Sequence, residues 1–262
     1  MVVSGAGLST ESGIPDYRGP SGVRREHRPM TYQEFVGSAD GRQRYWARSY
    51  LGWRLIATAT PNAGHRSVSA LQRAGLVAGI VTQNVDGLHQ AAGARDVVEL
   101  HGTLAWVRCL CCGHRVTRVE LDRRMSAANP GFADQVTVTA VHPDGDVPLT
   151  DADVAGFVVP DCERCGGVLK PDVVYFGECV PRDRVDRSFA LVEDARLLLV
   201  LGSSLTVMSG YRFVLRAAKL GIPVGIVNAG PTRGDTRAAY RVDAALGSTL
   251  THLSRSLGVV DV

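Results

Sequence analysis

Two pairs of cysteines, far apart in the chain, constrain the fold more than any other feature. Cys109 and Cys112 are separated by two residues, and the same spacing separates Cys162 from Cys165. Each pair can form a knuckle that presents two thiolates to one ion, and a tetrahedral zinc site takes four such ligands at about 2.3 Å. A site closed by four cysteines has no open coordination position, so we predict one structural Zn²⁺ per chain, bound by these four residues.

A fifth cysteine makes the first knuckle ambiguous. Cys111 could replace Cys109, but the two-residue spacing of the second knuckle favours Cys109, so Cys111 and Cys179 are predicted to be free thiols. The alternative is that the four cysteines are buried structural residues without a metal. Their clustering argues against a disulfide framework, and thiolates available to a metal are typical of a reducing compartment.

Short apolar runs alternate with helical stretches in the rest of the chain. The runs Leu76–Thr82, Arg196–Gly202 and Ile222–Asn228 are rich in valine, leucine and isoleucine, as expected of strands buried on both faces of a parallel sheet. Between them, His65–Arg73 and Ser209–Lys219 place apolar residues on one face and end shortly before a glycine. The alternation predicts a Rossmann-like parallel sheet.

Two segments interrupt this alternation and give the lobe boundaries. Residues 19–61 are rich in arginine and aromatic side chains, and residues 106–170 contain five of the six cysteines. We therefore predict an α/β fold in which a Rossmann-like parallel-sheet lobe carries an inserted small lobe with a four-cysteine zinc module. One domain spans residues 1–262, with a large lobe of residues 1–18, 62–105 and 171–262 and a small lobe of residues 19–61 (helical) and 106–170 (zinc-binding).

Composition excludes several functional classes. With 45% hydrophobic and 21% charged residues, a chain of 262 residues can bury a sizeable core, which excludes full disorder. The formal net charge of +3 comes from scattered basic residues, so no nucleic-acid partner is predicted. The sequence has no run of about 18 apolar residues and no signal-peptide pattern, so no membrane partner is predicted and a cytoplasmic location is favoured. Composition leaves the oligomeric state open.

A glycine turn follows the first apolar residues of the chain. The segment Gly5 to Ser9, with the sequence Gly-Ala-Gly-Leu-Ser, comes directly after Val2 to Ser4. Such a turn can direct backbone N–H groups at a pyrophosphate bound at a helix N-terminus. The third glycine of the dinucleotide-binding fingerprint is missing, so the alternative that the glycines serve backbone geometry alone stays open.

Polar side chains are concentrated where the second predicted strand ends. Gln83, Asn84 and Asp86 follow the run Leu76–Thr82, and an open α/β sheet binds its ligand at the carboxyl ends of its strands. His101 comes just after another apolar run, near the boundary between the predicted lobes. A lone histidine there is more often structural than catalytic, but the nearby amide and carboxylate groups favour a catalytic role.

These motifs together make the chain resemble the sirtuin family over nearly its whole length. They occur in the sirtuin order with sirtuin-like separations: Gly5 to Ser9, Gly13 to Arg18, Gln83 to Asp86, His101-Gly102, the paired knuckles, Pro171 to Glu178 and Gly202 to Ser204. Three segments are similar to the class II branch, which includes a mitochondrial sirtuin: Arg44 to Arg48, Ser209 to Phe213 and Gly230 to Arg233. The chain departs from the family in lacking the N-terminal helix and most of the first strand, and in having Gly19-Pro20 where a serine commonly follows the arginine.

The resemblance implies that the large lobe binds NAD as a co-substrate. His101 is implied to be the catalytic base, and Asn84 and Asp86 are implied to share in catalysis. The residues implied to contact NAD lie along several loops: Gly5, Ala6, Gly7, Ser9, Asp16, Tyr17, Arg18, Gln83, Asn84, Val85, Asp86, Gly202, Ser203, Ser204, Asn228, Ala229, Gly230 and Leu246.

The activity implied by the resemblance is NAD-dependent removal of an acyl group from a lysine of a protein substrate. The acyl oxygen attacks C1′ of the ribose as nicotinamide departs, and His101 takes a proton from the ribose hydroxyls, giving O-acyl-ADP-ribose and the free lysine. An imidazole with an unperturbed pKa of about 6.5 suits this task near neutral pH.

Three alternatives to a deacylase follow from the same residues. In a mono-ADP-ribosyltransferase, a protein side chain captures C1′ in place of the acyl oxygen. A non-catalytic NAD-binding module would not require His101, Asn84 and Asp86 together. A hydride-transferring dehydrogenase is disfavoured, because no acidic residue follows the glycine turn at the expected distance.

A tyrosine and an arginine three residues apart suggest which acyl group is removed. Tyr45 and Arg48 share a face if their segment is helical. In sirtuins that remove negatively charged acyl groups, a similar pair holds the distal carboxylate, so the resemblance implies an acyl pocket for acidic chains here. The alternative is that Arg48 is one of many surface arginines and Tyr45 is a packing residue.

Overall fold

The computed structural model describes residues 1–19, 29–136, 142 and 144–259. It divides into two compact units, the first comprising Met1–Glu26, Ala59–His101 and Val180–Val262 and the second comprising His27–Thr58 and Gly102–Cys179. The bounds of the predicted lobes differ from those of the units: residue 19 and residues 59–61 belong to the first unit, and residues 102–105 and 171–179 to the second. Residues 102–105 and 171–173 belong to strands that pair with each other in one sheet. The predicted small-lobe residues 20–28, 137–141 and 143, including Pro20, lie outside the described residues.

Short strands alternate with helices through the described residues. The strands are β1 (Val2–Ser4), β2 (Ile80–Thr82), β3 (Val98–Glu99), β4 (Gly102–Cys109), β5 (Arg115–Thr117), β6 (Leu169–Val173), β7 (Leu198–Leu201), β8 (Val224–Val227) and β9 (Tyr240–Val242). The helices are α1 (Tyr32–Gly37), α2 (Ala39–Ala57), α3 (Ala63–Arg73), α4 (Leu88–Ala91), α5 (Arg118–Ala128), α6 (Phe132–Gln135), α7 (Asp151–Val154), α8 (Arg182–Glu193), α9 (Met208–Lys219) and α10 (Leu246–Ser256).

A six-stranded sheet with the order β3-β2-β1-β7-β8-β9 organises the first unit, and every neighbouring pair is parallel. The predicted parallel sheet is therefore confirmed. Successive residues of a strand point to opposite faces, so Val2 packs in a core with α3 and α10, whereas Val3 packs in a second core with α8 and α9. Burial on both faces explains why these strands are almost wholly apolar.

The three predicted strands are all shorter in the structure: β7 and β8 have four residues each, and β2 has three. Of the run Leu76–Thr82, only Ile80–Thr82 forms β2. The N–H groups of Leu76 and Val77 both donate to the carbonyl of Leu71, so these residues close the end of α3 instead of pairing in the sheet. The helices match more closely, since α3 begins two residues before His65 and α9 one residue before Ser209.

The second unit has a three-stranded antiparallel sheet with the order β5-β4-β6. Its core contains Phe35 of α1 and Trp46 of α2, both with no exposed surface. The indole N–H of Trp46 donates to the carbonyl of Leu169 at 3.2 Å, which ties α2 to β6. Within the described part of residues 19–61, Tyr32–Gly37 and Ala39–Ala57 form the helices α1 and α2. None of the described helices is long and apolar enough to span a membrane.

Candidate active site

The glycine turn after β1 forms two short 3₁₀ turns, Ala6–Leu8 and Thr10–Ser12, where the sequence predicted an α-helix N-terminus. The N–H of Gly5 donates to the carbonyl of Leu201, and the N–H of Gly7 donates to that of Gly202. These two donors are bonded to the end of β7, so they are not directed at a ligand. The expected presentation of the Gly5 and Gly7 N–H groups to a pyrophosphate is therefore corrected.

Close contact between two loops explains the glycines instead. A Cβ on Gly7 would lie 2.9 Å from the carbonyl oxygen of Gly202, and a Cβ on Gly202 would lie 2.3 Å from the backbone nitrogen of Leu8. Gly202 also has a φ of +61°, in the left-handed region that favours glycine. The glycines let the loops after β1 and β7 meet at the carboxyl edge of the sheet, where an open α/β fold binds its ligand.

A hydrogen-bonded cluster joins the glycine turn to the loop after β2. The hydroxyl of Ser9 donates to Asp86 Oδ2 at 2.7 Å, and Asn84 Nδ2 donates to Ser9 Oγ and to the Gly5 carbonyl, both at 3.0 Å. Asp86 Oδ1 accepts the N–H of Leu88 at 3.0 Å. Asn84 and Asp86 are thus held in fixed orientations, as a site that orients a bound co-substrate requires.

Gln83 links the same loop to the end of β7. Its side-chain amide donates to Ser203 Oγ at 2.7 Å, and its backbone N–H donates to the carbonyl of Ser4. Ser203 is buried and its hydroxyl also accepts the N–H of Leu205. Gln83 and Ser203 therefore meet, as expected of two residues in one binding site, and Ser204 follows on the same loop.

His101 is bonded through both ring nitrogens. Nδ1 lies 2.9 Å from the backbone carbonyl oxygen of Gln83, and Nε2 lies 2.8 Å from Ser209 Oγ. A carbonyl oxygen can only accept, so Nδ1 carries the hydrogen and Nε2 holds the lone pair. Burial lowers the pKa of His101 to about 4, and the positive charges of Arg184 and Arg212 act in the same direction. The sequence predicts an ordinary pKa, and the structure corrects this: the pKa is lowered, which keeps the ring neutral at physiological pH.

The residues implied to contact the adenosine half of NAD lie after the end of β8 and at the start of α10. Asn228 Nδ2 donates to the carbonyls of Ala229 and Gly230, and the N–H of Gly230 donates to Asp243 Oδ1 at 2.9 Å. Leu246 is buried, and its Cδ1 lies 2.7 Å from where a Gly202 Cβ would be. All of them lie at the carboxyl edge of the parallel sheet with Gly202.

Sequence reasoning missed the residue that holds α10 in place. The N-cap of α10, Ala245, provides no side-chain hydrogen bond. Glu11 instead accepts the N–H of Gly247 at 2.9 Å, across 236 residues of sequence. A carboxylate at a helix N-terminus is stabilised by the helix dipole, so Glu11 fixes Leu246 relative to the glycine turn.

Three further residues implied to contact NAD lie on one partly buried turn. Asp16 Oδ1 accepts the N–H of Gly19 at 2.8 Å, and Tyr17 and Arg18 lie between them in sequence. The turn belongs to the first unit, as do all the residues implied to bind NAD. The roles of these three residues in NAD binding are therefore treated as a proposal.

A second set of missed residues lies beneath the Gln83–Asp86 loop. His89 Nε2 lies 2.8 Å from Ser4 Oγ, Ser4 donates to Thr82 Oγ1 at 2.9 Å, and Thr82 Oγ1 accepts the N–H of Asn84. His65, at the start of α3, packs its ring against that of His89. The available signal was a serine and a threonine at the ends of strands that are otherwise apolar.

The second unit contains the candidate metal centre. The sulfur atoms of Cys109, Cys112, Cys162 and Cys165 all lie within 4.8 Å of one another, with Cys109 Sγ 3.5 Å from Cys165 Sγ and Cys112 Sγ 3.8 Å from Cys162 Sγ. Four ligands at about 2.3 Å from one zinc ion would stand about 3.8 Å apart, so the cluster fits the ion. Cys111 is exposed and outside this group, as the knuckle spacing predicted.

Tyr45 and Arg48 lie on α2 in the second unit. The ring of Tyr45 is buried among Phe35, Trp46 and Tyr175, and burial raises the pKa of its hydroxyl to about 12. Arg48 Nη2 donates to the carbonyl of Leu149 at 3.1 Å, and Nη1 lies 3.6 Å from Asp146 Oδ2. Arg48 Nε is buried with no hydrogen-bond partner among the described residues. Arg48 therefore has a carboxylate partner within its own unit, together with one donor to spare.

The first unit thus combines a neutral imidazole, a fixed amide and a fixed carboxylate along one edge of its sheet. Such a set can orient a polar co-substrate and accept a proton at His101 Nε2. Four thiolates would fill the tetrahedral coordination of a zinc ion bound in the second unit, so this cluster would stabilise structure and leave no open position for a substrate. The cluster around His101 in the first unit is therefore the candidate site for proton transfer.

Comparison with known proteins identifies similar sequences. The model of the Sir2 family matches residues 5–209. NAD-dependent protein deacetylase 1 of Streptomyces coelicolor is 58% identical over 259 residues, covering 99% of this chain and 86% of the relative. The protein of the same name from Mycobacterium avium is 50% identical and covers 98% of this chain and 90% of the relative.

Solved structures agree with this result. A Sir2 homologue in complex with NAD is 30% identical, with a TM-score of 0.75 and coverage of 98% of this chain and 88% of the other. A complex of Sir2 with a p53 peptide and NAD⁺ is 28% identical, with a TM-score of 0.79 and coverage of 99% and 93%. These similarities extend through both units of the chain.

Proposed function

The chain belongs to the Sir2 family, and we propose that it is an NAD-dependent protein lysine deacylase that releases nicotinamide and O-acyl-ADP-ribose. One observation carries the proposal: His101 has a lone pair on Nε2 and belongs to the same unit as Asn84 and Asp86, whose side chains are held by hydrogen bonds. Relatives at about half identity or more are NAD-dependent protein deacetylases.

NAD, when bound, supplies an ADP-ribosyl group whose C1′ can lose nicotinamide and accept the acyl oxygen. On this proposal, Gln83 and Asn84 position the nicotinamide ribose, Asp86 accepts from the carboxamide, and Ser9 lies with the phosphates. Gly202, Ser203, Ser204, Asn228, Ala229, Gly230 and Leu246 hold the adenosine half. Asp16, Tyr17 and Arg18 line the phosphate side. The N–H groups of Gly5 and Gly7 are bonded within the protein, so these glycines allow close approach of the cofactor without donating to it, and Ala6 lies between them on the phosphate side.

His101 is proposed to act as the general base. Its Nε2 takes a proton from a ribose hydroxyl, the hydroxyl oxygen keeps its electron pair, and Nδ1–H stays bonded to the Gln83 carbonyl. A neutral ring is the form that can accept this proton, and general-base catalysis contributes about 10² to 10⁴ in rate. The fixed Gln83 contact keeps the imidazole in one tautomer throughout.

The finer features of the reaction are also proposals. The segments Arg44 to Arg48 and Ser209 to Phe213 support assignment to the class II branch. Tyr45 and Arg48 are proposed to favour acidic acyl chains, supported by the spare buried donor of Arg48. The substrates are acyl-lysine proteins, and free thiolates for zinc support a cytoplasmic location.

Mass spectrometry of NAD consumption against a panel of acylated peptides tests the function. We expect equal amounts of deacylated peptide, nicotinamide and O-acyl-ADP-ribose. NAD carrying a labelled ADP-ribose separates the main alternative, since a mono-ADP-ribosyltransferase would place the label on protein without producing deacylated peptide. Absence of both products in the presence of bound NAD would instead indicate a non-catalytic NAD-binding module.

A further inference from the structure

The first turn of α9 lies against the proposed catalytic base. Ser209 is the second residue of α9, and its Oγ lies 2.8 Å from Nε2 of His101, across 108 residues of sequence. Serine near a helix N-terminus commonly bonds to the helix backbone, but here the hydroxyl is directed to the imidazole. The contact involves the nitrogen that the proposed reaction uses.

The direction of this hydrogen bond follows from the other side of the ring. Nδ1 must donate to the carbonyl of Gln83, so in the neutral imidazole Nε2 can only accept. Ser209 is therefore the donor, and its hydroxyl hydrogen occupies the lone pair of Nε2. A donor to this lone pair stabilises the neutral ring. It cannot stabilise the imidazolium in this way, because Nε2 then carries a hydrogen and has no lone pair.

The neighbouring glycine explains how α9 comes so close. A Cβ on Gly210 would lie 2.6 Å from Gln83 Oε1. Glycine at this position thus lets the N-terminus of α9 pack on the residue that holds His101. The positive end of the helix dipole disfavours a cation nearby. Arg184 of α8 and Arg212 of α9, the charged groups that act on the His101 ring, have the same effect.

We propose that Ser209 is a positioning residue for the base. Its hydroxyl donates to His101 Nε2, holds the ring neutral and in one orientation, and is replaced at Nε2 by the substrate hydroxyl. This inference rests on the proposed function, in which His101 is the base. When the substrate hydroxyl replaces the Ser209 hydroxyl at Nε2, the proton of the substrate hydroxyl passes to Nε2 and the substrate oxygen keeps the electron pair. Ser209 itself neither gains nor loses a proton.

The variant Ser209→Ala tests this role in the full-length protein without NAD. Removing the donor destabilises the neutral ring, so we expect the pKa of His101 to rise toward its ordinary value, measured by NMR titration of the imidazole. With NAD and an acyl peptide, we expect the acid limb of kcat/KM to move to higher pH and the rate at neutral pH to fall about 2- to 10-fold, the loss typical of one hydrogen bond.

Two further variants complete the test. Ser209→Thr keeps a hydroxyl and should restore both the titration and the pH profile. Ser256→Ala removes an exposed hydroxyl at the far end of α10 and should change neither. An unchanged His101 titration in Ser209→Ala, or a Ser209→Thr variant that behaves like Ser209→Ala, overturns the inference. A wild-type protein without deacylase activity would contradict the proposed function alone, because the titration is measured without NAD.

Discussion

The rings of His65 and His89 meet edge to face beneath the Gln83–Asp86 loop, with centroids 5.2 Å apart and planes at 73°. His65 Nδ1 accepts the backbone N–H of Asn62, so the hydrogen of its neutral ring is on Nε2. Because Ser4 donates to Thr82, His89 Nε2 must donate to Ser4 and Nδ1 is bare. His65 Nε2–H and His89 Nδ1 are complementary groups, and neither has a partner among the described residues.

We expect these two histidines to make the protein acid-sensitive. Burial lowers the pKa of His65 to about 4 and that of His89 to about 3. The unfolded chain binds a proton at each near pH 6.5 while the folded chain does not, so stability is complete above that pH and falls as the pH drops toward 4. Each group contributes on the order of a few kcal/mol to this loss, at about 1.4 kcal/mol per pKa unit.

Urea unfolding between pH 7.5 and 5 measures this effect. The slope of the unfolding free energy against pH measures how many protons are taken up on unfolding. His89→Gln should reduce this number by up to one, although it lowers stability at neutral pH. His252→Gln, at an exposed position on α10, is the matched control and should keep the wild-type slope. The four clustered cysteines are the same in all three proteins, so an unchanged slope in His89→Gln would show that His89 is not neutral in the folded state.

The metal centre gives a prediction with a matched pair of cysteines. We expect about one zinc ion per purified chain, measured by elemental analysis. Cys162 is one of the four clustered thiols and is part of the hydrophobic core of the second unit, so Cys162→Ser should lose zinc and unfold that unit. Cys111→Ser, which removes the exposed thiol beside the cluster, should keep both zinc and stability. Zinc-free protein with full stability would contradict a structural metal.

Replacement of the proposed base separates catalysis from binding. His101→Ala should lower kcat for deacylation by roughly 10² or more, the usual effect of losing a general base. NAD affinity, measured by calorimetry, should change little, because the ring acts on hydroxyls of a co-substrate that is already bound. His252→Ala is the control. Near wild-type turnover in His101→Ala would mean that another group takes the proton.

The elements that were predictable depend on local patterns. Val2 to Ser4 and Leu198 to Leu201 are strands buried on both faces, which an apolar run bounded by turns reveals. The zinc cluster follows from two local spacings, each visible without knowing how the chain folds. The positions of Gln83 to Asp86 at a strand end could be predicted for the same reason.

The rest of the site depends on contacts between distant segments. Ser209 touches His101, and Glu11 caps α10, only because the fold brings these residues together. The shortened β2 has a similar origin, since Leu76 bonds to the end of α3. The depressed pKa of His101 also required the structure, because burial and two arginines from different helices produce it.

The proposed preference for acidic acyl chains requires that Arg48 can bind a substrate carboxylate. Its guanidinium lies 3.6 Å from Asp146 Oδ2 and donates to the Leu149 carbonyl, while its buried Nε has no partner among the described residues. A charge-assisted hydrogen bond to a carboxylate contributes about 1.5 to 3 kcal/mol. We therefore expect glutaryl-lysine peptides to be processed faster than acetyl-lysine peptides, and Arg48→Met to slow the glutaryl substrate about 10-fold or more while sparing the acetyl one.

Two neighbouring variants distinguish this role from a structural one. Arg44→Met, one turn earlier on α2, removes an exposed arginine 3.8 Å from Asp151 and should leave the preference unchanged. Asp146→Asn removes the resident carboxylate, so if Arg48 binds the acyl chain, the glutaryl substrate gains and the acetyl substrate does not. If Arg48 only braces Asp146 and Leu149, then Arg48→Met and Asp146→Asn both slow the two substrates equally. Measurement of kcat/KM for both peptides with each variant decides between these outcomes, because only a substrate contact can change their ratio.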